Sequence, residues 1–525
     1  MPVIPPAAIQ RRSLLTGAAA LSAFAILPGC ALSQGAGNTP FTLGVASGDP
    51  SPDGFVLWTR LAPQPLVPDG GLSGAVPVRW EIAADDAMRH IVQRGDALAD
   101  DRFAHSVHIE AGGLQPNRPY WYRFTALGAQ STVGRARTTP APGTALDRLR
   151  FVAASCAHYE LGYFGAYGHM AVEDPDLVLF LGDYIYEYNN EGRRADRAVR
   201  RHAAPEPVDL AGYRVRHAQY RTDPDLQALH AAAPCLMTWD DHEVENDYAD
   251  RWSEHPDTDP QDFLRRRAGA YQAYYEHMPL RRLSLPNGPD MRVYDRVRFG
   301  RLAEFNVLDG RQYRSRQACP TPAGAGGHLV TAACAERDDP VRTMLGFAQE
   351  AWLFDGFRQG GARWNIMAQD LLVSSVVQRD AAGTPGHWTD GWDGYPACRA
   401  RMLDAVARSR LSNPVFLGGD SHAFFTTDLK ADFADPGSAT IATEFVGTSV
   451  TSNGPRYEVF TKALPENPHI RFFDSRQRGY LSVDLTPARM AVRMQAISDR
   501  RDPYPTLSTL RSWVVENGKA GAVEG

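Results

Sequence analysis

Four short stretches of this 525-residue chain end an apolar run with side chains that can bind a cation or carry a proton. In FVAASCAHYE, Cys156 follows the run, either as a small buried residue or as a thiolate ligand. In DLVLFLGDYIYE, Asp183 and Tyr186 stand three residues apart just beyond it, so a carboxylate and a phenolate can converge on one ion. A phenol with an ordinary pKa of about 10 is deprotonated only by a strong Lewis acid such as ferric iron; the alternative is a tyrosine packed over the strand end. APCLMTWDDHEVENDY places Asp240, Asp241, His242, Glu243, Glu245, Asn246 and Asp247 within eight residues. Their mutual repulsion is costly unless cations sit among them or the loop is solvated. In NPVFLGGDSHAFF, two glycines allow close backbone approach while Asp420 and His422 offer oxygen and nitrogen to one site. Ser421 lacks the G-x-S-x-G surroundings of a nucleophile elbow, so a serine nucleophile is not expected.

The elements that must position these residues form an α/β pattern. LRFVAAS, DLVLFLGD, APCLMTWDD, RLAEFNVLD, ARWNIMAQD and NPVFLGGD are short runs rich in Val, Leu and Phe, each ending in a polar residue. Such runs predict strands buried between helical layers, with ligands gathering at their carboxyl ends. A polynuclear metal site shared by the four ends accounts for Cys, Asp, Tyr, Asn and His together. LDGRQYRSRQAC adds Arg311, Arg314 and Arg316, which either grip phosphate or brace loops. WTDGWDGYP, with Trp388, Trp392, Asp393 and Tyr395, is either a pocket wall or a packed loop cover. Cys235 reads as core, and Cys398 has no evident partner.

Upstream, residues 40–142 alternate in short runs separated by Gly, Pro, Asp and Asn, which predicts an antiparallel β-sandwich. Within it GLQPNRPYWYRF resembles the turn and strand of fibronectin type III domains. TTPAPGTALD (138–147) reads as the linker to an α/β domain over 148–500, with 501–525 left as a C-terminal tail.

Composition narrows the partners. With 43% apolar and 22% charged residues the chain is globular, and 55 basic against 61 acidic residues give a net charge of −6. No basic block offers a nucleic-acid surface. The six cysteines lack C-x-x-C spacing, which excludes a zinc ribbon. Residues 1–33 read as a targeting segment, because Arg11-Arg12 and the apolar run after them resemble a twin-arginine export signal. The expected location is the periplasm or the medium, reached through the twin-arginine machinery. Cys30 in LPGC leaves a lipid anchor open, and cleavage after Ala31-Leu32-Ser33, which would remove Cys30, is the competing possibility. Cys319 and Cys334 flank a loop with little to hold it, and an exported protein is expected to bridge them.

GVASGDPSPDGFVLWTRL, ASC, LGDYIYE, WDDHEVENDY, MLGFAQEAWL, FLGGDSH, EFVGTSVTSNG and NPHIRFFDSRQRGYLSVDL, in this order, together resemble the PhoD-like alkaline phosphatases. The resemblance implies a calcineurin-like four-layer αββα metallophosphoesterase domain preceded by the small fibronectin III-like sandwich. It implies Fe(3+) and Ca(2+): Cys156, Asp183, Tyr186 and His422 on iron, with Asp183 bridging to calcium and Asp241, Asn246 and Asp420 as further oxygen ligands. Either Asp240 or Asp241 is the ligand, and His242 either binds metal or orients phosphate, with Arg311 beside it in a catalytic role. The implied activity is hydrolysis of phosphate mono- or diesters through a metal-activated oxygen nucleophile, by a monomer. A phospholipase D-type hydrolase and a non-catalytic exported binding protein are the alternatives.

Overall fold

The structure, a computed structural model, describes residues 39–190, 198–321, 324, 326–435 and 437–525. The expected export signal, with Arg11, Arg12 and Cys30, lies outside the described residues. At the centre, strands Leu149–Ala154, Leu177–Leu181 and Cys235–Thr238 run parallel, in a register that sets Val178 against both Val152 and Cys235. Apart from the half-buried Arg150, all three are buried on both faces, as their largely apolar runs require. They belong to a ten-stranded mixed sheet. A second, seven-stranded sheet has Ala303–Val307, Trp364–Ala368, Pro414–Gly418 and Thr440–Val446 parallel at its middle.

Side-chain alternation assigns each face its partner. Phe151, Leu179, Leu181 and Leu481 meet Phe305, Ile366, Val415 and Leu417 in a core between the two sheets. Their neighbours Val152, Val178 and Phe180 pack under Tyr213, Tyr220, Tyr271 and Tyr274 of helices Leu210–Arg221 and Pro260–His277. On the far side, Met367 and Phe416 pack against Leu353, Phe357, Met402 and Val406 of helices Gly346–Gln359 and Pro396–Ser409. Aspartates cap the first two helices: Asp209 accepts from Gly212 N at 2.8 Å and Asp259 from Gln261 N at 2.7 Å, the latter with proline in the first turn.

The strands of residues 40–142 form two sheets over one core, Val45, Phe55 and Leu57 packing with Val78, Ile82, Tyr122 and Phe124. Val76–Ala83, Ile91–Ala99, Pro119–Ala126 and Gly134–Arg137 form a sheet of their own, whereas Val45–Ser51, Gly54–Arg60 and Ser106–Ala111 extend the ten-stranded sheet. The join is parallel, Gly48 opposite Cys235, and alternation within a strand cannot reveal so distant a partner. The expected C-terminal tail, residues 501–525, is corrected: it is not a tail. Leu507–Glu516 and Val523–Glu524 close the other edge of that sheet and seat Trp513 and Val515 in the core between the sheets. The polar stretch Ser508-Thr509 and Arg511-Ser512 conceals this strand. Cys319 and Cys334 are bridged, as their sequence positions predict.

Candidate metal centre

The loops after Leu149–Ala154, Leu177–Leu181, Cys235–Thr238 and Pro414–Gly418 meet at one edge of the two sheets. Their backbones are strained: Cys156, Asp183, Asp247, Asp420 and His422 have φ between 50° and 61°, in the left-handed region that disfavours side chains. Two glycines permit the approach. A Cβ on Gly182 (φ +86°) would stand 2.5 Å from Asp240 Cβ, and one on Gly419 would stand 2.6 Å from Ser155 Oγ, so these loops touch only because both positions are bare.

The first group gathers Cys156, Asp183 and His422, whose ligand atoms lie within 4.8 Å of one another. Tyr186 joins it, its hydroxyl donating to Asp183 Oδ2 at 2.8 Å and standing 3.0 Å from His422 Nε2. His422 Nδ1 lies 2.7 Å from the carbonyl of Asn453, which assigns the ring proton to Nδ1 and turns the Nε2 lone pair toward Tyr186 and Asp183. Asp183 Oδ1 is buried without a partner. Burial pushes the Asp183 carboxyl well above its ordinary range, and it raises the Cys156 thiol and the Tyr186 phenol likewise, with the Asp183 charge adding to both. The group therefore cannot shed its protons together without a cation, and sulfur, phenol oxygen, carboxylate and imidazole form a donor set that fits a strong Lewis acid.

A second group joins Asp183 to Asp241 and His242, and a third joins Asp241 to Asp247 and Asp390. Asp241 accepts from His242 N at 3.0 Å and from Asp247 N at 2.7 Å. His242 stacks on Tyr186 with ring centroids 4.1 Å apart and holds Glu187 Oε2 through Nδ1 at 2.7 Å. Burial pulls the His242 ring down, but the charges of Asp241, Glu187 and Asp183 outweigh it and hold the ring well above its ordinary value. Asn246 donates from its backbone to Glu187 Oε1 and from its amide to Glu254 Oε2, each at 2.8 Å. Glu243 ties the loops together by accepting from the backbones of Asp183, Tyr184 and Asp240.

Arg311 does not stand in the open to grip phosphate. It is fully buried, pairing through Nε with Asp240 and through Nη1 with Asp390 Oδ2 at 2.7 Å. Asp241 and Asp420 lie 3.8 Å from its Nη2, and Asp370 lies 3.7 Å from its Nε. It is the internal countercharge of five aspartates, and its Nη2 has no hydrogen-bond partner. Asp240 is thereby engaged and belongs to none of the three groups, whereas Asp241 belongs to two. Asp420, pushed by burial up to about 7, also lies outside them, at the half-buried rim. Arg314 is a second bracing cation, 2.6 Å from Asp390 Oδ1. Trp392 and Tyr395 are packed and Asp393 pairs with Arg399, so that loop is a cover from which only Trp388 projects. Glu187, Asp370 and Asp390 escaped the sequence reading. Asp370 carried a signal, since it ends the predicted strand ARWNIMAQD, and Glu187 and Asp390 stand inside the motifs DLVLFLGDYIYE and WTDGWDGYP without having been singled out there.

Residues 151–494 match the PhoD-like phosphatase model, and residues 29–140 match the model of the PhoD-like phosphatase N-terminal domain. The chain belongs to the PhoD-like phosphatase family. This PhoD-like phosphatase is 44% identical to alkaline phosphatase D of Bacillus subtilis (strain 168), across 98% of this chain and 88% of that protein. Its fold matches a solved structure described as "Structure of PhoD" with a TM-score of 0.87 and 45% identity, over 93% of this chain and 92% of the other. It is a phosphoric ester hydrolase, as the resemblance implied, and not a non-catalytic binding protein. No helix among the described residues is long and apolar enough to cross a membrane.

Proposed function

We propose that this enzyme is an exported alkaline phosphatase with phosphodiesterase capacity, working at an iron–calcium centre within a calcineurin-like αββα domain. The observation that carries the reading is the convergence of Tyr186 and His422 on Asp183 Oδ2 with Cys156 beside them, while Asp183 Oδ1 stays buried without a partner. These four residues would hold Fe(3+), while Asp183, Asp241, Asn246 and Asp420 would supply oxygens to Ca(2+). When bound, the cations supply the Lewis acidity that polarises a phosphate ester and acidifies water.

The chain's own groups prepare that chemistry. The Asn453 carbonyl fixes the His422 tautomer so that Nε2 can act as a ligand. Glu187 fixes His242 through Nδ1 and leaves Nε2 to orient a phosphate oxygen. Arg311 and Arg314 neutralise Asp240 and Asp390, so the carboxylates that remain are those turned toward the cations. No side-chain nucleophile is required. The test is metal analysis of enzyme exported in folded form, together with phosphate release from a monoester and a diester before and after calcium chelation. Iron and calcium in stoichiometric amounts, with turnover lost on chelation and restored by calcium, are expected. Full activity with zinc or magnesium alone would refute the assignment.

A further inference from the structure

Behind the loop that carries Asp183, helix Leu210–Arg221 turns His217 and Arg221 inward, one helical turn apart. Arg221 is fully buried with its Cζ 4.0 Å from the Trp58 ring, and its one hydrogen bond to a side chain, from Nη1 to the Tyr184 hydroxyl, is long at 3.4 Å. Its Nε and Nη2 have no partner, and no carboxylate lies within ion-pairing range of it among the described residues. Both ring nitrogens of His217, Nδ1 of His230 and the hydroxyls of Tyr122 and Tyr274 are buried without partners as well. These rings form one neighbourhood. His217 lies 6.4 Å from Tyr184, 6.0 Å from Tyr274 and 5.1 Å from His277, and Tyr184 bonds His230 at 2.9 Å. The Arg221 charge reaches Tyr122, His217 and His230 alike.

The charges that reach His217 are all positive, Arg60 and Arg216 besides Arg221, with Arg60 Nη1 2.7 Å from His277 Nε2; the carboxylates of the neighbourhood, Asp223, Glu243 and Asp49, act on Tyr184 and Tyr274 and form no ion pair with Arg221. Buried polar atoms without partners are rare, and a group of them on five neighbouring side chains calls for an occupant. Water would satisfy the hydrogen bonds but leave a guanidinium charge without compensation in a medium of low dielectric. We propose that this pocket binds one small monovalent anion of the halide class, held by Arg221, His217 and the tyrosine hydroxyls. The pocket lies under Tyr184, whose backbone N–H donates to Glu243, the carboxylate that also receives the N–H groups of Asp183 and Asp240. Filling it stiffens the loop behind the metal centre.

The test uses the full enzyme with its metals. Thermal unfolding in sodium chloride or bromide, against sodium gluconate at equal ionic strength, should show a rise of several degrees that saturates with halide. Crystals grown in bromide should give an anomalous peak beside Arg221 Nε and Nη2. Arg221→Met should abolish the halide-dependent rise while leaving the metal content unchanged, which separates this pocket from halide bound at the metals. Equal melting in gluconate and halide, a pocket filled by water without anomalous signal, or a halide effect that persists in Arg221→Met would each overturn the proposal. If Arg221→Met fails to fold, the bromide map of the wild-type enzyme decides alone.

Discussion

Tyr186 touches both Asp183 and His422, so its loss should be read in colour before it is read in rate. On the proposed iron, a tyrosinate ligand gives a visible charge-transfer band, and Tyr186→Phe should bleach it; a colourless wild-type enzyme containing stoichiometric iron would remove Tyr186 from the centre. Cys156→Ser should lose iron and nearly all turnover, whereas Ser421→Ala should retain most of it, because no covalent route through serine is proposed. Finding Ser421→Ala inactive with its metals in place would reverse that reading. Arg311 gives the sharpest stability test. Arg311→Met leaves Asp240 and Asp390 buried without their main countercharge, which is expected to destabilise by about 3–5 kcal/mol, and Arg311→Lys should rescue little, since lysine cannot fork to two carboxylates. Denaturant unfolding measures both. Cys156, Asp183, Tyr186 and His422 could be grouped from the chain because each ends a recognisable strand. The role of Arg311 could not, because an arginine after a strand looks the same whether it faces phosphate or five aspartates brought from distant loops.

At the scale of elements, strands were legible and their partners were not. Apolar runs marked the central strands, but nothing in VASGDPS announces that it lies parallel to CLMT, and LSTLRSWVVE shows only Trp513 and Val515 to the core. Removing residues 501–525 should therefore expose the core between the sheets and yield insoluble protein, while residues 148–525 alone should not fold, since their sheet would lose three strands. Solubility and circular dichroism check both. Strand Thr440–Val446 adds a pH dependence. Glu444 is buried beneath the loop after Ala368, accepting from Val373 N at 2.6 Å, from Ser374 N at 3.1 Å and from the Thr427 hydroxyl at 2.9 Å. Burial pushes its carboxyl up to about 7. A carboxyl raised in the folded state holds a proton there that the unfolded chain has released. Its stabilisation is complete below the ordinary range near pH 4.5 and is lost as pH climbs toward 7, by at most about 3 kcal/mol. Glu444→Gln keeps the shape without the charge, so the stability gap between variant and wild type should narrow or invert between pH 5 and pH 8. An equal gap at both values would refute the shift.

At the scale of the molecule, the disulfide and the proposed centre make conflicting demands on the cell. The Cys319–Cys334 bridge needs an oxidising compartment, whereas Cys156 is a buried free thiol that the proposed iron requires reduced. Export in folded form reconciles them: with the centre assembled around Cys156 in the cytoplasm, that thiol is sealed before oxidation begins outside, and only the loop carrying Cys319 and Cys334 remains to be bridged. The twin-arginine signal proposed at Arg11-Arg12 would supply such a route. Its receptor distinguishes paired guanidinium groups from ammonium groups, so Arg11-Arg12→Lys-Lys should trap the enzyme inside. The trapped form should carry the full metal content with Cys319 and Cys334 as free thiols, and the exported form the same metals with the bridge closed. Thiol labelling and metal analysis of the two fractions check this together. A trapped form without iron would mean that the centre is loaded after export, and that the paired arginines do not serve to protect it.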